Sequence, residues 1–246
     1  HERIAFTGLL VLDLFEPPGD GLLPVAVLVH GGGWVGGERA DMTDLARYMA
    51  AEGVLVYNIP YRTIALGGSF PDPYVDIGCG VAFARSTAQE YGGDSSAVTL
   101  IGYSAGAHLG AVVALAGDDF SGPCTVTDES HQPDGFIGVA GPYDSDQFSP
   151  LLIPLFGGSR DAAAETWAAG NPYTYIDRRV GMPTRILHGT ADNTVPLRFS
   201  QDFVTALQEA GHDATLTVIP GAGHRDMIDP AGEASAIVDA LLEMSR

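Results

Sequence analysis

Ala97-Val98-Thr99-Leu100-Ile101-Gly102-Tyr103-Ser104-Ala105-Gly106 begins as an apolar run of strand character and leads directly into a helical stretch at 107–116. Glycine two places before and two places after Ser104 lets a strand turn sharply into a helix. Such a turn lifts the hydroxyl clear of the backbone at the helix N-terminus, where negative charge is favoured. In a chain with 32 glycines the bare spacing also arises by chance. The strand–turn–helix context therefore carries the reading, with an incidental turn as the alternative.

Outward from this segment, short apolar runs alternate with helical patterns. Strands are expected at 9–15, 25–30, 54–59, 136–140, 184–188 and 215–219, the first two parted by a turn-rich stretch at 16–21. Met42, Leu45 and Met49 mark a helix that stops at Gly53, and a second helix is expected over 71–91 with proline in its first turn. Phe199, Phe203, Leu207 and Ala210 line a helix ended by Gly211, while Ile237, Leu241 and Met244 stripe the terminal one. Strands that read as continuous apolar runs between helices predict an α/β fold, with a mostly parallel sheet of about eight strands covered on both faces. No repeat, low-complexity tract or linker interrupts the pattern, so one domain over 1–246 is expected. In such sheets reactive groups gather at the carboxyl ends of the strands, where Ser104 falls.

Composition sets the limits. An apolar fraction of 46% with 17% charged residues supports a substantial core and argues against disorder. No apolar run approaches the roughly 18 residues that cross a bilayer. The 31 acidic residues outnumber 12 basic ones, all arginine, for a net charge of −19. That field repels nucleic acid and anionic membranes, and both are set aside as partners. A well-solvated surface accounts for the charge, and a salt-tolerant or extracellular setting is the more specific reading. The chain opens with His1 rather than Met, which suggests a processed or trimmed start. The sequence assigns no exposed apolar stripe, and so no oligomeric state.

Of the two cysteines, Cys79 shares a helical stripe with Val75 and Phe83 and by itself reads as core. Cys124 lies in a loop at 118–135 rich in Gly, Pro, Ser and Asp, where an apolar thiol has little packing reason to be. The contrast favours a Cys79–Cys124 disulfide and an oxidising compartment, secreted or periplasmic, over two reduced buried thiols.

A serine hydroxyl is a poor nucleophile until a base removes its proton. Among the seven histidines, His1 is terminal, and His131 and His212 sit in polar connections. His30 and His188 close apolar strands beside glycines, a position that usually braces loops. His108 lies one helical turn beyond Ser104 and points into helix packing. His224 follows Val218-Ile219-Pro220-Gly221-Ala222-Gly223, a loop leaving the last strand at the carboxyl edge, with small residues that let the ring swing inward. To fix its tautomer and stabilise the imidazolium it needs a carboxylate. Asp192, after the strand that ends at His188, is favoured; Asp144, after the strand at 136–140, competes. Asp226 is too close in sequence to orient His224 and is expected to start the terminal helix. Developing oxyanion charge needs preorganised donors. His30-Gly31-Gly32-Gly33-Trp34 leaves backbone N–H groups unobstructed at a strand end, although a plain glycine turn reads the same. A phosphate loop is disfavoured, because no Gly-Lys-Ser/Thr follows and the chain has no lysine.

Together, the His30–Trp34 run, the Gly102–Gly106 run, and Asp192 followed by His224 resemble the α/β-hydrolase superfamily, with its order Ser, Asp, His. Within it the chain looks like the small carboxylesterases related to hormone-sensitive lipase and to bacterial feruloyl and acetyl esterases. The resemblance implies a triad Ser104–His224–Asp192, an oxyanion hole from the N–H groups of Gly32, Gly33 and Ala105, and hydrolysis of a small-molecule ester without metal or organic cofactor. Hormone-sensitive-lipase-like enzymes carry a long N-terminal cap, yet only 29 residues precede His30, so a reduced cap is expected. The remaining cover candidate is 142–179, with Phe148, Leu151, Leu152, Ile153, Leu155, Phe156, Trp167, Tyr173 and Tyr175; ordinary packing of a connecting helix is its alternative. A small lid would suit short or compact acyl groups. Arylformamidase or related amide chemistry on the same machinery is the nearest rival, with a peptidase of the prolyl-oligopeptidase type more distant. A non-catalytic binding protein on the same fold is disfavoured because all three triad positions are filled.

Overall fold

A computed structural model describes residues 1–8, 10–19, 21–125 and 129–245, with Phe148 and Ser149 in backbone only. Leu9 of the expected first strand, Asp20 of the expected turn, residues 126–128 of the 118–135 loop and the Phe148 side chain lie outside the described residues. Strands are β1 (Glu2–Ala5), β2 (Val11–Phe15), β3 (Leu23–Val29), β4 (Leu55–Ile59), β5 (Gly93–Tyr103), β6 (Gly135–Val139), β7 (Thr184–Gly189) and β8 (Ala214–Ile219). Helices are α1 (Thr43–Ala51), α2 (Asp72–Thr87), α3 (Ala105–Ala116), α4 (Ser149–Phe156), α5 (Ala164–Ala169), α6 (Arg198–Glu209) and α7 (Ser235–Met244).

The strands form one eight-stranded sheet in the order β1-β2-β4-β3-β5-β6-β7-β8. β2 runs antiparallel to β1 and β4, and the pairings from β4 through β8 are parallel. The period of two along each strand divides the core. Val25, Val27 and Val29 pack with Leu55, Tyr57, Leu100 and Ile186 in a cluster shared with α2, α3 and α6. Ala26, Leu28, Val56, Ile101, Ile137 and Leu187 face the other way, against Met42, Leu45 and Met49 of the first helical region and Ile237 and Leu241 of α7. Each such aliphatic side chain contributes about 1.5–3 kcal/mol on burial, which is why these central strands read as unbroken apolar runs.

The structure departs from the sequence reading at three places. β1 carries Glu2 and Arg3 on an exposed edge, so no apolar alternation announces it. The helix expected over 71–91 ends at Thr87 and tightens into a 3-10 turn, Ala88–Tyr91, closed by left-handed Gly92. Asp226 does not start the terminal helix. It opens a 3-10 turn, Asp226–Ile228, its carboxylate accepts the Gly223 N–H at 2.8 Å, and helix α7 begins only at Ser235, past Pro230 and Gly232. Cys79 and Cys124 are disulfide-bonded, tying α2 to the loop after α3. In 142–179, Leu152, Leu155, Phe156, Trp167 and Tyr175 join the α2–α3 side of the core, while Leu151 and Ile153 are exposed. Among the described residues no helix is long and apolar enough to cross a membrane.

Candidate active site

β5 delivers its chain to Ser104, which adopts φ 54° and ψ −121° and caps α3. A non-glycine residue there is strained by about 1–3 kcal/mol. The surroundings hold it: the Ser104 N–H donates to the Val139 carbonyl at 2.8 Å, tying the elbow to β6. The flanking glycines are steric requirements. A Cβ on Gly102 would lie 2.3 Å from the Gly106 carbonyl oxygen, and one on Gly106 would lie 2.4 Å from the His30 carbonyl oxygen.

The loop after β8 brings His224 to this hydroxyl, with Nε2 3.0 Å from Ser104 Oγ and Nδ1 2.6 Å from Asp192 Oδ2. Asp192 sits just past β7, its side chain fully buried. Its other oxygen, Oδ1, accepts the Thr194 and Val195 N–H groups, each at 2.8 Å. Burial works against its charge, but hydrogen bonds from His188, His224 and Val195 together hold the carboxyl well below the usual carboxylate range. An ionised Asp192 accepts from Nδ1, which leaves Nε2 free to take the serine proton.

Other candidates separate cleanly. Asp144 accepts from the Asp146 N–H at 3.1 Å and Gln147 Nε2 at 2.8 Å, within its own loop. His108 is wholly buried and receives the Trp34 indole N–H on Nδ1 at 3.1 Å; burial pushes its pKa down to about 3, so it is neutral. His30 donates Nδ1–H to the Gly31 carbonyl at 2.7 Å and stacks on Tyr61, bracing the glycine run. His188 meets the Val195 carbonyl at 2.8 Å and Ser200 Oγ at 2.7 Å, with Nε2 also 3.3 Å from Asp192 Oδ2. His212 is buried with Nε2 2.6 Å from the Ile176 carbonyl oxygen, and His131 is buried against Cys124, so neither lies in an exposed polar connection.

The glycine run turns back beside the serine. Gly32 has φ 122° and Gly33 φ 61°, and a Cβ on Gly32 would lie 2.1 Å from the Gly36 carbonyl oxygen. A Cβ on Gly31 would touch Ser104 Cβ at 3.0 Å, a measure of how closely this strand end approaches the elbow. Ala105 is the first residue of α3, where a backbone N–H has no intrahelical acceptor. One contributor escaped the sequence reading. Tyr103 donates its hydroxyl to the His224 carbonyl at 3.2 Å and sets its ring 5.0 Å from the imidazole. Its position inside the Gly102–Gly106 run was the available signal.

The mostly parallel sheet, the strained serine elbow and the His-bearing loop after the last strand define an α/β-hydrolase. The BD-FAE family model matches residues 12–207, and the chain belongs to that family. It is 29% identical over 222 residues to Esterase LipC of Mycobacterium tuberculosis, covering 85% of this chain and 54% of that protein. It is likewise 29% identical over 236 residues to the isoprenylcysteine alpha-carbonyl methylesterase ICME of Arabidopsis thaliana, covering 88% of this chain and 54% of that one. The chain thus spans about half the length of these curated relatives. The propionate-bound esterase Est2 of Thermogutta terrifontis superposes with a TM-score of 0.79 at 26% identity, covering 99% of this chain and 92% of that one.

Proposed function

We propose that this chain is a serine carboxylesterase that hydrolyses short or compact acyl esters through an acyl-enzyme intermediate. The observation that carries the reading is the hydrogen-bonded line from Ser104 Oγ to His224 Nε2 at 3.0 Å and from His224 Nδ1 to Asp192 Oδ2 at 2.6 Å, built from three distant segments. His224 takes the Ser104 proton as Oγ attacks the ester carbonyl. The tetrahedral oxyanion accepts hydrogen bonds from the N–H groups of Gly32, Gly33 and Ala105, each donor worth about 3–4 kcal/mol in comparable sites. His224 then protonates the departing alcohol. The same imidazole next activates water, which releases the acid and restores the serine. Ionised Asp192 stabilises the imidazolium in both halves.

The curated relatives named as esterases support ester chemistry, and the propionate in the Thermogutta terrifontis structure supports a short acyl group. The disulfide supports an oxidising compartment, secreted or periplasmic. In this reading the chain acts as one domain, with 142–179 as a small lid segment.

Hydrolysis of p-nitrophenyl acetate, butyrate and octanoate by the wild type and by Ser104→Ala tests it. The expected result is a fall of about 10⁴–10⁶ for the variant, with its melting curve unchanged, and a wild-type preference for the shorter esters. Retained hydrolysis by Ser104→Ala would overturn the mechanism. Cleavage of an N-formyl aromatic amide faster than any of the esters would move the substrate class to amides.

A further inference from the structure

At the end of α3 remote from Ser104, about 18 Å along that helix, a second cluster of chemistry-bearing side chains converges. Cys79 of α2, Cys124 and His131 place two sulfur atoms and one ring nitrogen within 4.8 Å of one another. His131 Nε2 lies 3.1 Å from Cys124 Sγ. Among the described residues the other buried imidazoles meet carbonyl, hydroxyl, carboxylate or indole groups; His131 is the one whose ring nitrogen meets sulfur.

The ring is held there by construction. Asp118 Oδ1 accepts the His131 backbone N–H at 3.0 Å and also meets the Ser130 hydroxyl, which fixes the turn carrying the ring. Gly78, inside α2, packs against the ring: a Cβ at that position would stand 3.3 Å from His131 Cδ2 and 3.4 Å from its Cβ.

We propose that Cys79, Cys124 and His131 form a reduction-gated transition-metal site that takes Zn²⁺ once the disulfide is opened. The donor set is two thiolates and one imidazole, which suits Zn²⁺ and leaves a fourth tetrahedral position for water. A dithiol reductant supplies two electrons and two protons, giving the Cys79 and Cys124 thiols and its own cyclic disulfide. Zn²⁺ then displaces both thiol protons to solvent and binds the thiolates together with neutral His131. Tetrahedral Zn²⁺ with bonds of about 2.0–2.3 Å needs its ligand atoms roughly 3.3–3.8 Å apart, so the sulfurs separate while the imidazole keeps its place. The metal then replaces the disulfide as the link between α2 and the loop after α3. None of these groups touches the Ser104 site, so the proposal stands or falls independently of the esterase reading.

The test is a Co²⁺ titration of the full chain, oxidised and after reduction with dithiothreitol removed by anaerobic desalting, with two reactive thiols confirmed by a thiol reagent. The expected result is thiolate-to-cobalt charge transfer at one Co²⁺ per reduced chain, displaced by Zn²⁺, with no such band in the oxidised chain. His131→Ala should weaken Co²⁺ binding at least about tenfold, and the double variant Cys79→Ser with Cys124→Ser should abolish the band. Zn²⁺ should raise the melting temperature of the reduced chain alone; if reduction unfolds the chain, Zn²⁺ should restore its far-UV ellipticity. A chain with two titratable thiols and no charge-transfer band overturns the proposal. So does unchanged affinity in His131→Ala, or a reduced chain that Zn²⁺ neither stabilises nor refolds.

Discussion

Gly106 and His30 stand so close that a methyl group on Gly106 would lie 2.4 Å from the His30 carbonyl oxygen. Two features that are far apart in the chain, the serine elbow and the glycine-rich strand end, are thereby locked against each other through backbone alone. The contact sets the distance between the hydroxyl of Ser104 and the N–H groups of the Gly31–Gly33 run.

Gly106→Ala should therefore force the two backbones apart, at a cost of about 1–3 kcal/mol as in other overpacked sites, and should lower esterase turnover with it. Gly33→Ala provides the contrast. Nothing lies within 4 Å of a Cβ there, and only its φ of 61° opposes a side chain. That strain is about 1–2 kcal/mol and stays local, so the Gly33→Ala elbow should keep its geometry. Thermal melts of both variants, paired with the rate of fluorophosphonate labelling at Ser104, distinguish the two outcomes. Slower labelling in Gly106→Ala than in Gly33→Ala, with a larger drop in melting temperature, is the expected pattern.

Asp192 and Asp144 give a second pair. Asp192→Asn leaves the loop in place but favours the wrong His224 tautomer, and should lower kcat by about 10⁴. Among the described residues Asp144 bonds within its own loop, so Asp144→Asn should leave kcat within about twofold, the range of a surface change of a few tenths of a kcal/mol. A large loss in Asp144→Asn with none in Asp192→Asn would reassign the acid.

The sheet and the site were legible to different degrees, for physical reasons. Central strands such as β3 and β4 are buried on both faces, and the sequence repeats that burial residue by residue. The elbow is legible because steric closeness at Gly102 and Gly106 leaves no other residue type. β1 was not legible, since an edge strand with Glu2 and Arg3 has no need of an apolar pattern. The Asp226 turn was missed because its capping bond to Gly223 depends on where the β8 loop returns, a tertiary fact. His131 reads as polar linker because its burial comes from packing against α2 at Gly78, more than fifty positions earlier in the chain.

His108 should make stability fall on acidification. Burial lowers its folded pKa from 6.5 to about 3, so between those values the unfolded chain binds more protons than the folded one. Its contribution is complete above about pH 6.5 and is lost progressively as pH drops towards 3. His108→Gln keeps an acceptor for the Trp34 indole and removes the titration. The melting temperature of the wild type should therefore drop more steeply than that of His108→Gln from pH 6.5 to 4. Equal slopes would place His108 outside the acid response, leaving it to groups such as His30 and His131, whose pKa values burial also lowers.

Tyr103 tests how firmly the His224 loop must be held. Its hydroxyl donates to the His224 carbonyl at 3.2 Å, and its ring lies 5.0 Å from the imidazole at a 37° tilt. The first contact fixes the backbone of the loop and the second limits the swing of the ring. Tyr103→Phe removes one neutral hydrogen bond of about 1 kcal/mol and keeps the ring, so kcat should fall only about threefold to tenfold, with KM little changed. Tyr103→Ala removes both restraints and should cost on the order of a hundredfold, since a misplacement near 1 Å in such a site has that effect. Pre-steady-state kinetics with p-nitrophenyl acetate reads the acylation rate directly. Tyr103→Phe and Tyr103→Ala acylating at the wild-type rate would mean that the β8 loop holds His224 by itself.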